Sequence, residues 1–333
     1  MPTSEPSWFL PIGEFFADRY DVRALVGRGT HGAVFDALDK NNETRVALKV
    51  IHPELLEDEA TENLFLLRRA LAYRSNELVP LRDVIETDER LVLVQPFESA
   101  PNLRTHLRLK VDANKSFDPL SGLRMITDIA GGLAWIHRFG PHGNIKPENI
   151  FVTDDGYRLH DAYRLHGIQR LSWSPDNPWT KDAYQAPEQY EGEPSLATDT
   201  FAFALIIGEA LAGKPVKDGV PLSAQSKLIH FKDLDDLFIS STARDPGFRP
   251  SVENFVSEAG EILSGAGEEE QGAERDFNIT LVTGIPTITE SMVKDMASGF
   301  SAKETLDREE KRKNEEEQAA IGDLASRATD DTP

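Results

Sequence analysis

The sequence predicts an α+β protein with two lobes, a small β-rich N-lobe followed by a larger helical C-lobe. Up to about residue 97, strand-like runs alternate with glycine-containing turns. Beyond about Leu120 the pattern becomes helical and amphipathic, as in LSGLRMITDIAGGLAWIHRF. Strands grouped in one part of the chain and helices in the next are typical of an α+β arrangement. Apolar residues are spread through both parts, so each lobe has a core to bury.

Composition divides the 333 residues into three parts. We expect an N-terminal extension over 1–18, a two-lobed domain over 19–264 and an acidic tail over 265–333. Within the domain, the N-lobe covers about 19–97 and the C-lobe about 98–264.

The tail has three recognisable segments. It begins with an acidic, glycine-punctuated linker and continues with a threonine-rich, β-prone patch over 277–289. Ser301 and Glu304 then form a capping box, and acid–base pairs four residues apart follow. We expect a charged, solvated helix there. The alternative is a segment, centred on the threonines, that docks to a partner or is modified.

Charge and composition exclude several classes of protein. A net charge of −21 argues against nucleic acid as a partner, because phosphate binding requires clustered Lys and Arg. Since the chain has no cysteine, disulfide scaffolds, thiolate metal sites and thiol catalysis are excluded. No apolar run approaches the roughly 20 residues of a membrane span, and the N-terminus lacks a signal-peptide pattern. We therefore expect a soluble, cytoplasmic protein.

A glycine-rich turn near the N-terminus is a candidate phosphate-binding loop. Gly27, Gly29 and Gly32 follow a strand-like run and precede Val34. Glycines at this spacing allow backbone N–H groups to approach phosphate oxygens without obstruction by Cβ. The pattern alone is weak, because glycine-rich turns are common.

The following strand strengthens the hypothesis. In the stretch TRVALKVI, Lys49 shares one face with Ala47 and Ile51. A lysine between small or apolar neighbours is costly unless it meets an anion. An edge lysine that extends to water is the alternative.

These residues resemble the N-lobe of the Hanks-type (eukaryotic-type) Ser/Thr protein kinases. The resemblance continues to about residue 261 through three motifs, His142-Gly-Asn-Ile-Lys-Pro-Glu-Asn149, Asp161-Ala-Tyr163 and Ala186-Pro-Glu188. The Gln that follows Glu188 is typical of bacterial members. By the same resemblance, Glu188, Asp199 and Arg249 are structural residues of the C-lobe.

The resemblance implies an ATP and Mg²⁺ site. Lys49 would contact the α- and β-phosphates and Lys146 the γ-phosphate, while Asn149 and Asp161 would hold Mg²⁺. Val34 and Ala47 belong to the same nucleotide-binding set. In the strand LVLVQPF, Val94 is predicted as the gatekeeper, the residue that borders the back of the adenine pocket. The Gln95 carbonyl and the Phe97 N–H are predicted to contact adenine.

The position of the catalytic aspartate departs from the family pattern. It is Asn144, whose neutral amide cannot accept a proton at pH 7. General-base assistance is worth typically 10²–10⁴-fold in rate. Because phosphoryl transfer depends mostly on positioning and metal, slow residual transfer stays open.

Three further departures concern the surroundings of the site. Arg68 takes the place of the glutamate that would pair with Lys49, and we expect it to repel that lysine. Gly143 replaces the arginine that would pair with a phosphorylated activation loop. Ala162 and Tyr163 replace Phe and Gly after the aspartate, which should alter the turn there.

Together these departures predict a pseudokinase. It would be a kinase-fold signalling or scaffolding protein that binds ATP weakly or conditionally, transfers little or no phosphate and acts through protein partners. The partners would bind the C-lobe, the activation segment or the acidic tail. One alternative is a slow Ser/Thr kinase or nucleotidyl transferase using Lys49, Lys146, Asn149 and Asp161 with MgATP. Another is a nucleotide-free interaction domain.

Overall fold

The computed structural model has the two predicted lobes, with a curled sheet in the first and helices in the second. It describes residues 6–271 apart from 30, 57–59, 114, 164–182, 191, 193 and 228–231. The strands are β1 Phe15–Phe16, β2 Tyr20–Gly29, β3 Gly32–Asp39, β4 Thr44–Ile51, β5 Asp83–Glu86, β6 Leu91–Pro96, β7 Ile150–Thr153 and β8 Gly156–Leu159. The α-helices are α1 Ala60–Ala70, α2 Leu103–Asp112, α3 Pro119–Ile136, α4 Leu196–Ala212, α5 Leu222–Gln225, α6 Asp233–Ser241 and α7 Val252–Gln271.

The N-lobe sheet is antiparallel in the order β1-β2-β3-β4-β6-β5. The predicted alternation along β4 is confirmed. Val46, Leu48 and Val50 are fully buried in one apolar cluster, on the outer face of the sheet. Ala47 and Lys49 lie on the opposite face, which borders the cleft between the lobes.

The N-terminal segment covers the outer face of this sheet. Phe9 and Leu10 are buried in the same cluster as the β4 side chains, and the Phe9 ring meets the Phe35 ring edge-on at 5.6 Å. Arg90 fixes the segment by donating to the backbone carbonyls of Ser7 and Trp8. Part of the predicted extension is therefore packed into the N-lobe.

The C-lobe is built around α4, whose residues from Thr198 to Ala212 are all buried. A helix that is apolar on every side belongs in a protein interior. It ends where Gly213 adopts a left-handed conformation. Asp118 caps α3 by accepting the Ser121 N–H at 2.9 Å, and α3 packs against α7 and β8.

The last described helix extends beyond the expected domain boundary. We predicted that the domain ends at 264, but α7 continues to Gln271. The three glutamates at 268–270 are good helix formers and offset the glycines before them. The expectations for the rest of the tail lie outside the described residues. Within the described residues, no helix combines the length and apolar character that crossing a membrane would require.

Candidate functional site

Lys49 and Asp161 form a buried ion pair at the centre of the cleft. The Lys49 ammonium contacts the Oδ2 atom of Asp161, and the two residues are 6% and 9% exposed. Lys49 lies on β4 of the N-lobe sheet, and Asp161 lies in the segment that follows β8. The expected anionic partner of Lys49 is therefore present, and it is a side chain of the protein.

Tyr163 binds the other oxygen of the same carboxylate. Its hydroxyl donates to Asp161 Oδ1 at 2.7 Å, and its backbone N–H donates to the Asp161 carbonyl at 2.7 Å. Asp161 has a φ of +56°, a left-handed conformation in which aspartate is one of the tolerated residues. This tight turn folds the Tyr163 ring back under Asp161. A glycine at position 163 could not form the side-chain contact.

Two histidines flank the ion pair. His31, at the tip of the glycine-rich loop, places its Nδ1 3.9 Å from Asp161 Oδ2. His160 places its Nδ1 3.6 Å from Oδ1. The residue after β4 holds the loop tip, because the His52 N–H donates to the His31 carbonyl at 2.9 Å. The glycine-rich loop is thus closed over Asp161, with an imidazole in the region expected for phosphate.

The protonation states of this cluster follow from burial and charge. Burial raises the pKa of Asp161, but the Lys49 charge and the neighbouring His160 and His31 rings hold it well below its usual range. Burial lowers the pKa of His31 despite the opposing effect of Asp161. Burial and the Asp161 charge raise the pKa of Tyr163 well above 10. At neutral pH the aspartate is charged, His31 is neutral and Tyr163 carries its proton.

The described residues do not fit Mg²⁺ in this arrangement. A cation at Asp161 Oδ2 would stand beside the Lys49 ammonium, and one at Oδ1 would compete with the Tyr163 hydroxyl. The Asn149 side chain donates its amide to the Asn144 carbonyl at 2.9 Å, which leaves its oxygen free to bind a metal. Mg²⁺ is usually bound through one or two carboxylates. Asp161 would have to be released before a metal could bind there.

The loop that carries Asn144 is held by Asp199, as predicted. One Asp199 oxygen accepts the His142 N–H at 2.7 Å and the other accepts the Gly143 N–H at 2.8 Å. His137 Nε2 lies 2.8 Å from the same carboxylate. Asn144 and Lys146 are half-buried beside this loop, and Lys146 is near enough to His31 to lower its pKa.

Gly143 is required by the local backbone. Its φ is +73°, and a Cβ there would lie 2.9 Å from Pro194 Cγ. Its carbonyl accepts a hydrogen bond from the Gln189 side chain at 2.8 Å. An arginine at this position would therefore need both a strained backbone and a shift of Pro194.

The structural role predicted for Glu188 and Arg249 is confirmed by their geometry. The guanidinium forms two hydrogen bonds to the carboxylate, at 2.6 and 2.8 Å. Thr198 donates a third hydrogen bond, at 2.9 Å. Burial alone would raise the pKa of Glu188, but these hydrogen bonds bring it below its usual value.

The hinge between the lobes differs from the expected one. The Phe97 N–H donates to the Arg45 carbonyl at 3.3 Å, so it is not available to a base. Because hydrogen-bonded pairs alternate in an antiparallel ladder, Gln95, opposite Ala47, also faces β4 with its carbonyl. Pro96 occupies the intervening position, where a missing N–H costs no ladder bond.

Arg68 does not act on the cleft. Its side chain is half exposed and lies 3.7 Å from Glu86 on the surface. The buried face of α1 presents Asn63 and Leu67 instead. The expected repulsion of Lys49 by Arg68 is therefore wrong, because Arg68 lies on the surface beside Glu86 whereas Lys49 is buried. Among the described residues, Lys49 forms its ion pair with Asp161.

Sequence reasoning missed two features of the site. It treated Tyr163 only as a lost glycine, although a tyrosine two residues after an aspartate can bend back to it. It also missed Arg104, which binds Glu148 at 2.9 Å and the buried Glu209 at 2.7 Å. A glutamate within the apolar run of α4 was the available signal, since a buried charge requires a partner.

Comparison with known proteins identifies the family. The protein kinase domain family matches residues 20–259. The chain belongs to the protein kinase family. It is 29% identical over 216 residues to the serine/threonine-protein kinase PkaB of Streptomyces coelicolor, covering 59% of this chain and 49% of that protein. It is 32% identical over 206 residues to the serine/threonine-protein kinase PknD of Mycobacterium tuberculosis, covering 59% of this chain and 30% of that one. The match thus spans half or less of these two relatives.

Solved kinase structures share the fold. The kinase domain of Mycobacterium tuberculosis PknI superposes with a TM-score of 0.62 at 22% sequence identity, covering 76% of this chain and 99% of that one. The kinase fold, with a curled N-lobe sheet and a helical C-lobe, is therefore established for this chain.

Proposed function

We propose that this kinase-family protein is a pseudokinase, a signalling or scaffolding protein that binds MgATP weakly or conditionally and acts through protein partners. The observation that carries the proposal is the state of Asp161. Its carboxylate is bound by Lys49 on one oxygen and by Tyr163 on the other. The residue expected to hold the metal is thus used to close the cleft.

The energies involved support this direction. A hydrogen bond to a charged group contributes about 1.5–3 kcal/mol, so displacing Tyr163 alone weakens metal binding about 10- to 150-fold. At the chemical step, Asn144 supplies no general base, which removes about 10²–10⁴-fold in rate. The first effect acts on metal binding and the second on the chemical step, so their free-energy costs add.

Tyr163→Phe tests the proposal directly. The change keeps the ring and removes the hydroxyl, which frees Asp161 Oδ1. We expect the wild type to show little Mg²⁺-dependent rise in melting temperature with ATP, and Tyr163→Phe to show a clear one. Tyr157→Phe, at another buried tyrosine whose backbone N–H donates to Asp128 on α3, is the matched control and should behave as the wild type. Calorimetric titration with MgATP measures the affinities.

Phosphotransfer is measured in the same preparations. We expect no transfer from the wild type, and Asn144→Asp alone should restore little because Asp161 stays bound. Brisk transfer by the wild type that disappears in Lys49→Met would overturn the proposal.

A slow Ser/Thr kinase is the second candidate, and the intact catalytic loop favours it. Asp199 still holds that loop, and Asn149 still has a free amide oxygen. The relatives PkaB and PknD are named as serine/threonine-protein kinases. Mass spectrometry after incubation with MgATP separates the candidates, because a kinase leaves phosphate and a nucleotidyl transferase leaves AMP on its target.

The partners proposed for this protein are other proteins. A net charge of −21 favours basic protein surfaces over nucleic acid. The docking regions proposed from the sequence are the C-lobe surface, the activation segment and the acidic tail, and a cytoplasmic location stays part of the proposal.

A further inference from the structure

The N-terminal segment at residues 7–10, which we call the strap, contacts the glycine-rich loop as well as the sheet. Phe9 and Leu10 are buried in the outer-face cluster, and they supply the packing that holds the strap on the sheet. Trp8 is only partly buried, and its neighbour in the loop, Arg28, is exposed. Contacts at these two residues add little to the apolar core, so core packing does not account for them.

The strap contacts the beginning of the loop through Arg28. The guanidinium carbon of Arg28 lies 4.5 Å from the centroid of the Phe9 ring, within the range of a cation–π contact. Gly27 and Gly29 flank this arginine, and glycine restricts the backbone less than any other residue. The Phe9 ring therefore restrains a part of the chain that has little conformational restraint of its own.

The strap contacts the loop tip through His52. The Trp8 and His52 rings meet edge to face, with centroids 5.2 Å apart and an interplanar angle of 63°. The backbone N–H of the same histidine donates to the His31 carbonyl at 2.9 Å. Trp8 therefore packs on the residue that holds the tip, and the tip carries the imidazole that lies 3.9 Å from Asp161.

Arg90 holds the backbone of the strap. Its guanidinium donates to the Ser7 carbonyl at 2.7 Å and to the Trp8 carbonyl at 3.1 Å. Hydrogen bonds from a charged donor are stronger than those between neutral groups. Arg90 directly precedes β6, which lies between β4 and β5 in the sheet. One end of the strap is thus tied to the interior of the sheet, while its rings contact the loop.

We propose that the strap keeps the glycine-rich loop closed over Asp161, and that release of residues 7–10 is the event that uncovers the cleft. The strap acts on the beginning of the loop through Arg28 and on its tip through His52. This device works on the loop before any nucleotide arrives, so it is independent of whether MgATP binds.

Amide hydrogen exchange of the full chain without nucleotide tests the proposal, because the His52 N–H exchanges when its bond to the His31 carbonyl opens. Arg90→Met removes both bonds to the strap backbone, and it should speed exchange at His52 at least about fivefold, as expected for loss of partly exposed charged hydrogen bonds. Trp8→Ala should also speed it, whereas Trp8→Phe keeps a ring and should stay close to the wild type. Modification of the His31 imidazole by diethyl pyrocarbonate, followed by mass spectrometry, should rise in the same two variants, because an open loop exposes that ring.

Two controls separate release of the loop from general loss of stability. Arg82→Met removes an arginine of the same lobe that binds the Thr44 hydroxyl instead of the strap, and it should leave exchange at His52 unchanged. The amide of Leu93, on β6 of the same sheet, is the internal reference. It should keep its wild-type exchange rate in every variant, because closure of the loop does not depend on that part of the ladder.

Three results would overturn the proposal. One is unchanged exchange at His52 in either Arg90→Met or Trp8→Ala. Another is equal acceleration at His52 and Leu93, which would mean that the strap only stabilises the lobe. The third is faster exchange without greater modification of His31, which would mean that the tip moves without uncovering the cleft. Because Trp8 and Arg90 are both partly exposed, each change leaves the buried core in place, and either variant decides the matter if the other does not fold.

Discussion

Two buried aspartates, Asp199 in the C-lobe and Asp161 between the lobes, show different uses of the same side chain. Asp199 is 1% exposed and accepts hydrogen bonds from two backbone N–H groups of the catalytic loop. Asp161 is 9% exposed and is bound by two side chains, Lys49 and Tyr163. Asp199 holds the backbone of the catalytic loop. Asp161 instead links β4, through Lys49, to the turn that carries Tyr163.

The difference concerns which contacts survive a change of residue. A backbone N–H is present whatever residue occupies the position, so Gly143 can replace an arginine without disturbing the bond to Asp199. The contacts of Asp161 depend on side chains, and a single new hydroxyl at Tyr163 redirects the carboxylate. Under the proposed function, the catalytic loop keeps its geometry while Asp161, the residue proposed to hold the metal, takes another role.

The largest effect is expected from Asp199→Ala. The change leaves two buried N–H groups without an acceptor and removes the partner of His137, so we expect a loss of about 3–5 kcal/mol of unfolding free energy. For a domain of this size that lowers the melting temperature by about 10 °C. Asp155→Ala removes a carboxylate that is 87% exposed and serves as the control. A shift in Asp199→Ala no larger than that of the control would break the comparison.

The sequence was sufficient to predict the cleft face of β4 and the structural residues of the C-lobe, because these follow from strand alternation and from the order of the motifs. The alternation of β4 places Lys49 on the cleft face without knowledge of the fold. The roles of Asp199, Glu188 and Arg249 follow from the family resemblance.

The contacts that distinguish the cleft could not be derived in the same way. The partner of Lys49 lies 112 residues away, and its identity depends on where the turn after β8 directs Tyr163. At the hinge, the Phe97 N–H donates to the Arg45 carbonyl, a pairing that depends on the register of β6 against β4.

A loss of stability of intermediate size is expected from a substitution in the glycine-rich loop. The three glycines are equivalent in the motif, but only the ideal Cβ at Gly32, where φ is +146°, would lie 1.8 Å from the Val50 carbonyl oxygen. Gly32→Ala should cost about 2 kcal/mol or more through the clash and the strained backbone. Gly29→Ala is the matched control, because a Cβ there meets nothing within 4 Å. Chemical denaturation of both variants measures the difference. Equal losses would mean that the loop is not closed onto β4 as the structure has it.

The smallest effect concerns pH and the contact between His31 and Asp161. Burial lowers the pKa of His31, so the folded state favours the neutral imidazole. Its contribution to stability is present above the unfolded pKa of about 6.5 and is lost as the pH falls below that value. The pKa of Asp161 is also lowered, but its contribution is lost only at pH values below its unfolded pKa of about 3.9, so the two effects separate.

We expect the stability difference between the wild type and His31→Gln to shrink when the pH falls from 7.5 to 5.5. Lys49 and Lys146 are the cations that face His31, and both disfavour a further positive charge in the cleft. His106→Gln, on α2 in the C-lobe, is the control variant. A difference that grows on acidification would show that His31 binds Asp161 as an imidazolium. The closed loop would then be held to Asp161 by an ion pair rather than by a neutral contact.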